Sequence, residues 1–322
     1  MEDKYGRKIN YLRVSLIDRC NLRCRYCMPK EGIIKRPYNE LLRFEDILKI
    51  IKAAAHLGIN KIRYTGGEPL IVKDIDYLIE ETAKIQGVSD LAITTNGTLL
   101  YDLADKLKSV GLKRVNISLD TLKRDKFNYI TRGGNIDTVL KSIEKCLSIG
   151  LTPVKINVVL IKGFNDEEVV DFIRITKDLP IEIRFIELMP IGQGEKLYKT
   201  SYLSSENVLK IIKNTFELVP QKTHSGSTVS LYKVDNYRGN IGFISPMSCK
   251  FCKNCNRIRL TSVGNLKPCL HSDKVINLKS CLNNAELLTE NLKQGILSKP
   301  LQHNMDSKNK SESNKMMYQI GG

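Results

Sequence analysis

Six of the nine cysteines in this 322-residue chain fall in two tight groups, and thiolates are among the few side chains that hold iron or zinc. The first group, Cys20-x-x-x-Cys24-x-x-Cys27, supplies three thiolates, one fewer than a four-iron cluster takes, so one iron would stay open to a small ligand. A zinc site completed by a distant ligand is the competing reading. The second group sets Cys252-x-x-Cys255 against Cys269. Cys249 lies just before it and His271 just after, so a four-thiolate zinc site, or one with an imidazole ligand, also fits the spacing. Cys146 and Cys281 stand alone in text of helical period and read as packing residues.

The text between these groups predicts what positions them. Short apolar runs, Tyr11 to Ile17, Lys61 to Tyr64, Leu91 to Thr95, Arg114 to Leu119, Lys155 to Leu160 and Ile181 to Ile186, alternate with helical segments such as Phe44 to Leu57 and Asp166 to Leu179. Such alternation is the mark of βα units and a parallel sheet. The strands end in polar or glycine-rich text, including Asp18-Arg19-Cys20, Gly66-Gly67-Glu68-Pro69 and Thr94-Thr95-Asn96-Gly97, and in a barrel such endings meet at one mouth. The fold class expected is α/β, a partial (β/α)6 TIM-like barrel over residues 1–215. After about Leu203 the alternation is lost. A helix over Ser205 to Phe216 leads to a smaller, cluster-binding region, residues 216–322, docked against the barrel's open side. The polar run from Gln302 to Lys315 reads as a flexible tail.

The opening Met-Glu-Asp-Lys-Tyr-Gly-Arg-Lys lacks the apolar core of a secretory signal, and no run is long and apolar enough to span a bilayer. The expectation is a cytoplasmic protein, whose reduced thiols point to metal or redox chemistry rather than disulfides. The formal charge of +16 favours an anionic partner, a polyphosphate or a nucleic acid, although much of the excess is lysine scattered over helix faces and the tail.

The first triad, Tyr26 before its last cysteine, and the segment Gly66-Gly67-Glu68-Pro69 together resemble the radical S-adenosylmethionine (SAM) superfamily. The resemblance implies that SAM chelates the open iron and that an electron cleaves its sulfonium to a 5′-deoxyadenosyl radical. Longer stretches are similar to the GTP 3′,8-cyclase family of molybdenum-cofactor synthesis. They include Cys27 through Gly32, Lys61 through Leu70, Asn116 through Leu122, Phe185 through Pro190, Gly242 through Pro246, Phe251 through Leu260 and the ending Ile320-Gly321-Gly322.

This second resemblance implies two [4Fe–4S] clusters, the second on Cys252, Cys255 and Cys269 with its open iron on guanine. Cys249 departs from the family pattern and leaves the fourth ligand open. SAM contacts would fall on Tyr26, Gly67, Ser118 and Met189. GTP contacts would fall on Arg13, Arg63, Thr94, Lys155, Arg257, Ile258 and Arg259. Arg257 and Arg259, with Gly321 and Gly322 of a tail that reaches back to the site, would serve catalysis. Arg13, Arg63 and Lys155 lie in expected inner strands, where a cation needs a compensating anion; a triphosphate would supply it, as would a neighbouring carboxylate for any one of them. The resemblance also implies a downstream cyclic pyranopterin monophosphate synthase, a reducing system and room for a homodimer, with neither nucleic acid nor membrane as partner. Two other readings are another twin-cluster radical SAM enzyme, such as one acting on a peptide, and a zinc-containing protein that binds nucleic acid.

Overall fold

The computed structural model describes residues 1–33, 36–223, 226–303, 305, 311–313 and 315–321. Strand β1 (Tyr11–Ser15), helix α1 (Phe44–His56), β2 (Lys61–Thr65), α2 (Ile75–Ala83), β3 (Asp90–Thr95), α3 (Leu100–Ser109) and β4 (Arg114–Ser118) open the chain. Helices α4 (Arg124–Thr131) and α5 (Ile136–Ser148), then β5 (Val154–Leu160), α6 (Val169–Ile175) and β6 (Ile181–Glu187), complete five βα repeats and a sixth strand. All six expected strands are present. β1 stops at Ser15 rather than Ile17 because the chain then turns to present the Ile17 and Arg19 carbonyls to the Gly67 and Glu68 amides, at 2.6 and 2.8 Å. The helix expected over Asp166 to Leu179 is shorter, a 3-10 turn Asp166–Glu168 followed by α6, and Pro180 cannot extend it.

Helices α7 (Gly194–Ser201) and α8 (Ser205–Lys213) lead to β7 (Leu218–Gln221), β8 (Ser230–Val234), β9 (Asn240–Ile244), β10 (Arg257–Leu260), β11 (Asn265–Lys267), β12 (Ile276–Asn277) and α9 (Ala285–Leu297). These later strands extend the barrel sheet itself. Its order is β12-β11-β10-β1-β2-β3-β4-β5-β6-β9-β8-β7. β10 lies parallel to β1 and β9 parallel to β6, so both edges of the six-stranded barrel gain a parallel partner from the C-terminal segment. An unpaired strand edge is a row of exposed amides and carbonyls, and the added strands satisfy both rows.

Burial along the strands shows which way each face looks. In β5, Val154, Ile156, Val158 and Leu160 are buried while Lys155, Asn157 and Val159 are half-buried, and β6 alternates in the same way through Glu182, Arg184 and Ile186. The apolar face packs outward on the helices, where α1 contributes Ile47, Ile50, Ile51 and Ala54 and α5 contributes Val139 and Ile143. The polar face therefore lines the lumen. Cys146 and Cys281 are buried in apolar surroundings, as expected.

Much of the segment from Gln302 to Lys315, whose composition reads as a flexible tail, lies outside the described residues, as does Gly322. Its described part is seated: Ser311 donates its amide to Pro190 O at 3.1 Å, and the Ser313 hydroxyl accepts from the buried Lys267 at 3.3 Å. Among the described residues no helix is long and apolar enough to cross a membrane.

Phe185 sits where β6 meets β9, fully buried, with its ring 6.2 Å from Phe172 and 5.7 Å from Phe243. Phe185→Ala is expected to lower stability by about 3–5 kcal/mol, measured by urea unfolding of the metal-free protein. An unchanged midpoint would mean that this junction does not hold the extended sheet together.

Candidate active site

The first cysteine loop leaves the end of β1 and is pinned from three sides. Gly66-Gly67-Glu68 runs beside Ile17 to Arg19 so closely that a Cβ at position 67 would collide with the Arg19 carbonyl, which is why glycine stands there. Arg132 donates to the Arg23 and Met28 carbonyls at 2.8 and 2.9 Å. Asn96 donates to Cys20 Sγ at 3.6 Å and the Leu22 amide donates to it at 3.3 Å. Burial, with the neighbouring Cys20, pushes the Cys27 thiol up to about 12, and burial beside Cys27 and Asp120 raises Cys24 well above its usual value. Coordination to iron is what lets such thiols ionise.

Around this loop the carboxyls are buried and fully hydrogen-bonded. Glu68 accepts from the Leu70 amide, the Thr95 hydroxyl and the Asn96 amide at 3.0, 2.7 and 2.7 Å, yet burial still pushes it up to about 7. Asp120 accepts from the Tyr26 hydroxyl at 2.7 Å and the Val159 amide at 2.8 Å, and burial holds it at about 6.

Below the loop, register sets cations side by side. Arg13 on β1 faces Arg259 on β10 on one side and Arg63 on β2 on the other. Burial lowers Arg63 to about 9 and, with Arg257 beside it, Arg259 to about 10. No carboxylate among the described residues forms an ion pair with Arg63, Arg257 or Arg259. Arg63 Nε and Arg257 Nε lack a hydrogen-bond partner, and both guanidiniums lie over the Tyr11 ring, at 5.3 and 5.8 Å.

The second triad lines the same cavity, of about 300 Å³. Arg7, paired with Asp3 at 2.6 Å, donates to the carbonyls of Cys252, Pro300 and Leu301 at 2.8, 2.8 and 3.1 Å. Burial raises the Cys252 thiol, and the backbone at His303 partly opposes that rise. Burial would raise the Cys255 thiol, but Lys299 and Arg257 outweigh it and hold the thiol below its usual value. Among the described residues no three His, Cys, Asp or Glu side chains gather to chelate a single ion. A four-iron cluster takes each thiolate on a different iron and does not ask for that, so two sets of three thiols on one cavity suit two clusters.

Residues 14–175 match the radical SAM superfamily and residues 181–310 match Molybdenum Cofactor Synthesis C. The chain belongs to the radical SAM superfamily. Radical SAM membership brings SAM and a [4Fe–4S] cluster as cofactors. Proteins named GTP 3′,8-cyclase are 59% identical in Clostridium botulinum strain Hall and 52% identical in Clostridium acetobutylicum, each match covering 100% of both chains. Two solved structures share the α/β partial barrel. Native anSMEcpe with bound AdoMet is 15% identical over 89% of this chain and 84% of that one, with a TM-score of 0.50. TYW1 with a lysine-pyruvate adduct bound is 20% identical over 72% and 80%, also with a TM-score of 0.50.

Of the residues singled out from sequence, all six clustered cysteines, Tyr26, Gly67, Ser118, Met189, Arg13, Arg63, Thr94, Arg257 and Arg259 line this one cavity. Lys155 does not: its ammonium pairs with Glu182 at 3.1 Å, the carboxylate alternative for a strand cation. Ile258 is buried in the apolar core, its side chain turned away from the cavity. Gly321 packs against Ser15 and Thr65, and its carbonyl accepts from Arg259. Cys249 is exposed and off the cavity wall. Sequence reasoning missed Asn116, Asn157 and Arg184, which line the lumen. Their period-two spacing with Ser118, Val159 and Ile186 was the available signal.

Glu68 and Asp120 hold protons in the folded chain that the unfolded chain has already released. Their contribution to stability is therefore present at low pH and lost as the pH rises through about 6 and about 7. The urea midpoint of the metal-free protein is expected to fall between about pH 5 and about pH 8, and to fall less in Glu68→Gln. Parallel curves for the two proteins would show that this carboxyl does not titrate in the window.

Proposed function

We propose that this chain is a GTP 3′,8-cyclase, forming (8S)-3′,8-cyclo-7,8-dihydroguanosine 5′-triphosphate for molybdopterin synthesis. One observation carries the reading: Arg63, Arg257 and Arg259, without a carboxylate ion pair among the described residues, line the same cavity as the two thiol triads. Buried guanidiniums call for an anion, and their planar forks match phosphate oxygens.

Cys20, Cys24 and Cys27 would hold one [4Fe–4S] cluster and Cys252, Cys255 and Cys269 a second, dividing the chain near residue 215. When bound, the first cluster and SAM supply a carbon radical able to take a hydrogen atom from a ribose carbon. Tyr26, Gly67, Ser118 and Met189 would seat SAM, with Tyr26 held in place by Asp120. Arg13, Arg63, Arg257 and Arg259 would grip the triphosphate and so fix the distance from ribose C3′ to guanine C8. Thr94 Oγ1, buried without a partner, would offer a hydrogen bond to the nucleotide. Lys155 would reach the substrate only by leaving Glu182. Gly321 and Gly322 would bring backbone groups to the site without side chains in the way, and Arg259 already holds the Gly321 carbonyl. A downstream cyclic pyranopterin monophosphate synthase, a reducing system and a homodimer rest on family resemblance alone.

Anaerobically reconstituted protein given GTP, SAM and a reductant is expected to release 5′-deoxyadenosine and the cyclised nucleotide. It should carry about eight irons per chain, falling to about four in Cys252→Ala. Deoxyadenosine without cyclised nucleotide, from fully loaded protein, would sink the assignment.

Arg63→Ala is expected to raise KM for GTP about 10- to 100-fold, the worth of one charge-assisted hydrogen bond, with SAM binding little changed by calorimetry. A KM equal to that of the unaltered protein would remove Arg63 from the triphosphate site.

A further inference from the structure

Behind the second triad, just past the end of α9, stands Lys299, 3% exposed. Its ammonium donates to Arg257 O at 2.8 Å and to Pro268 O at 2.9 Å. Those carbonyls lie two residues after Cys255 and one residue before Cys269, on the two pieces of chain that must be brought together to assemble the triad. Lys299 lines the cavity together with Cys252, Cys255 and Cys269. The two carbonyls take two of the ammonium's three donors, which leaves the third for another acceptor.

The charge is what makes the placement unusual. Among the described residues no carboxylate pairs with Lys299, although it is almost wholly buried. A buried, unpaired cation is costly, because the charge gives up its hydration. Carbonyl dipoles offset part of that cost. The remaining counter-charge available at the site is that of the thiolates, and through them of the group they hold.

We infer that Lys299 is a positioning residue for the second cluster, joining the Cys255 strand to the Cys269 loop and facing the cluster's thiolates with a fixed positive charge. This rests on the reading that Cys252, Cys255 and Cys269 hold a cluster. A cation beside an iron–sulfur cluster favours its reduced, more negative state, so Lys299 would raise the reduction potential as well as hold the ligands. A purely structural staple would change stability and leave the potential where it was.

The test uses the full-length chain carrying Cys20→Ala, Cys24→Ala and Cys27→Ala, so that only the second cluster contributes. In that background the protein with Lys299 is compared with Lys299→Met and Lys299→Gln after anaerobic reconstitution. Iron content, the reduction midpoint followed by electron paramagnetic resonance, and the rate of iron loss to a chelator are read. With Lys299 present, about four irons per chain are expected. Lys299→Met should shift the midpoint to a more negative value and lose iron about tenfold faster, as expected for loss of an outer-sphere partner. Lys299→Gln keeps a donor for one carbonyl but no charge, so it should show the same negative shift with a smaller gain in iron loss. It also keeps the test decisive if the Met variant does not fold. Equal midpoints in a four-iron Lys299 protein and its Gln variant would overturn the role given to Lys299. Absence of iron with Lys299 in place would instead overturn the second-cluster reading, and this inference with it.

Discussion

Side-by-side guanidiniums on the wall of the cavity constrain the rest of this molecule. Arg259, Arg13 and Arg63 sit in register on three adjacent strands, with Arg257 one step away on the same face. Burying one such charge without compensation costs several kcal/mol, against a total stability of about 5–15 kcal/mol for a domain. The lumen therefore has to admit an anion or water, and the apolar faces of the strands must find their partners outside, among the helices. The fold supplies Glu182 on β6 to Lys155 and Arg184, whereas Arg63, Arg257 and Arg259 form no carboxylate ion pair among the described residues.

The chain after α9 borders both thiol triads, since His303 and Tyr318 line the same cavity as Cys252 and Cys27. Arg7 holds the same stretch from the N-terminal side through the Pro300 and Leu301 carbonyls.

The barrel was legible because its signals are local. Each βα repeat carries its own period change, and the cysteine triads and the Gly66-Gly67-Glu68-Pro69 segment are short runs whose spacing survives without tertiary knowledge. The additions at the sheet edges were not legible. β9 and β10 are five and four residues long, and nothing in Asn240–Ile244 or Arg257–Leu260 says that one pairs with β6 and the other with β1. The same limit applies to Lys155. Its residue type and strand position matched a substrate contact, but the ion pair with Glu182 depends on a cross-strand register that the sequence does not print. Composition reports solvation and so makes the polar segment after Gln302 read as a flexible tail, whereas Ser311 and Ser313 are buried and hydrogen-bond to Pro190 and Lys267.

The separation of the strand faces has an evolutionary reading. On β5 and β6 the positions that carry stability and the positions that meet the cavity alternate and share few neighbours. Asn157, Arg184 and Ile186 line the cavity, whereas Val158, Ile183 and Phe185 pack in the apolar core, so substitutions at the first set alter the lining and spare the core. A lineage can therefore explore new substrates by drifting at every second residue of its strands, with selection on folding acting on the residues between.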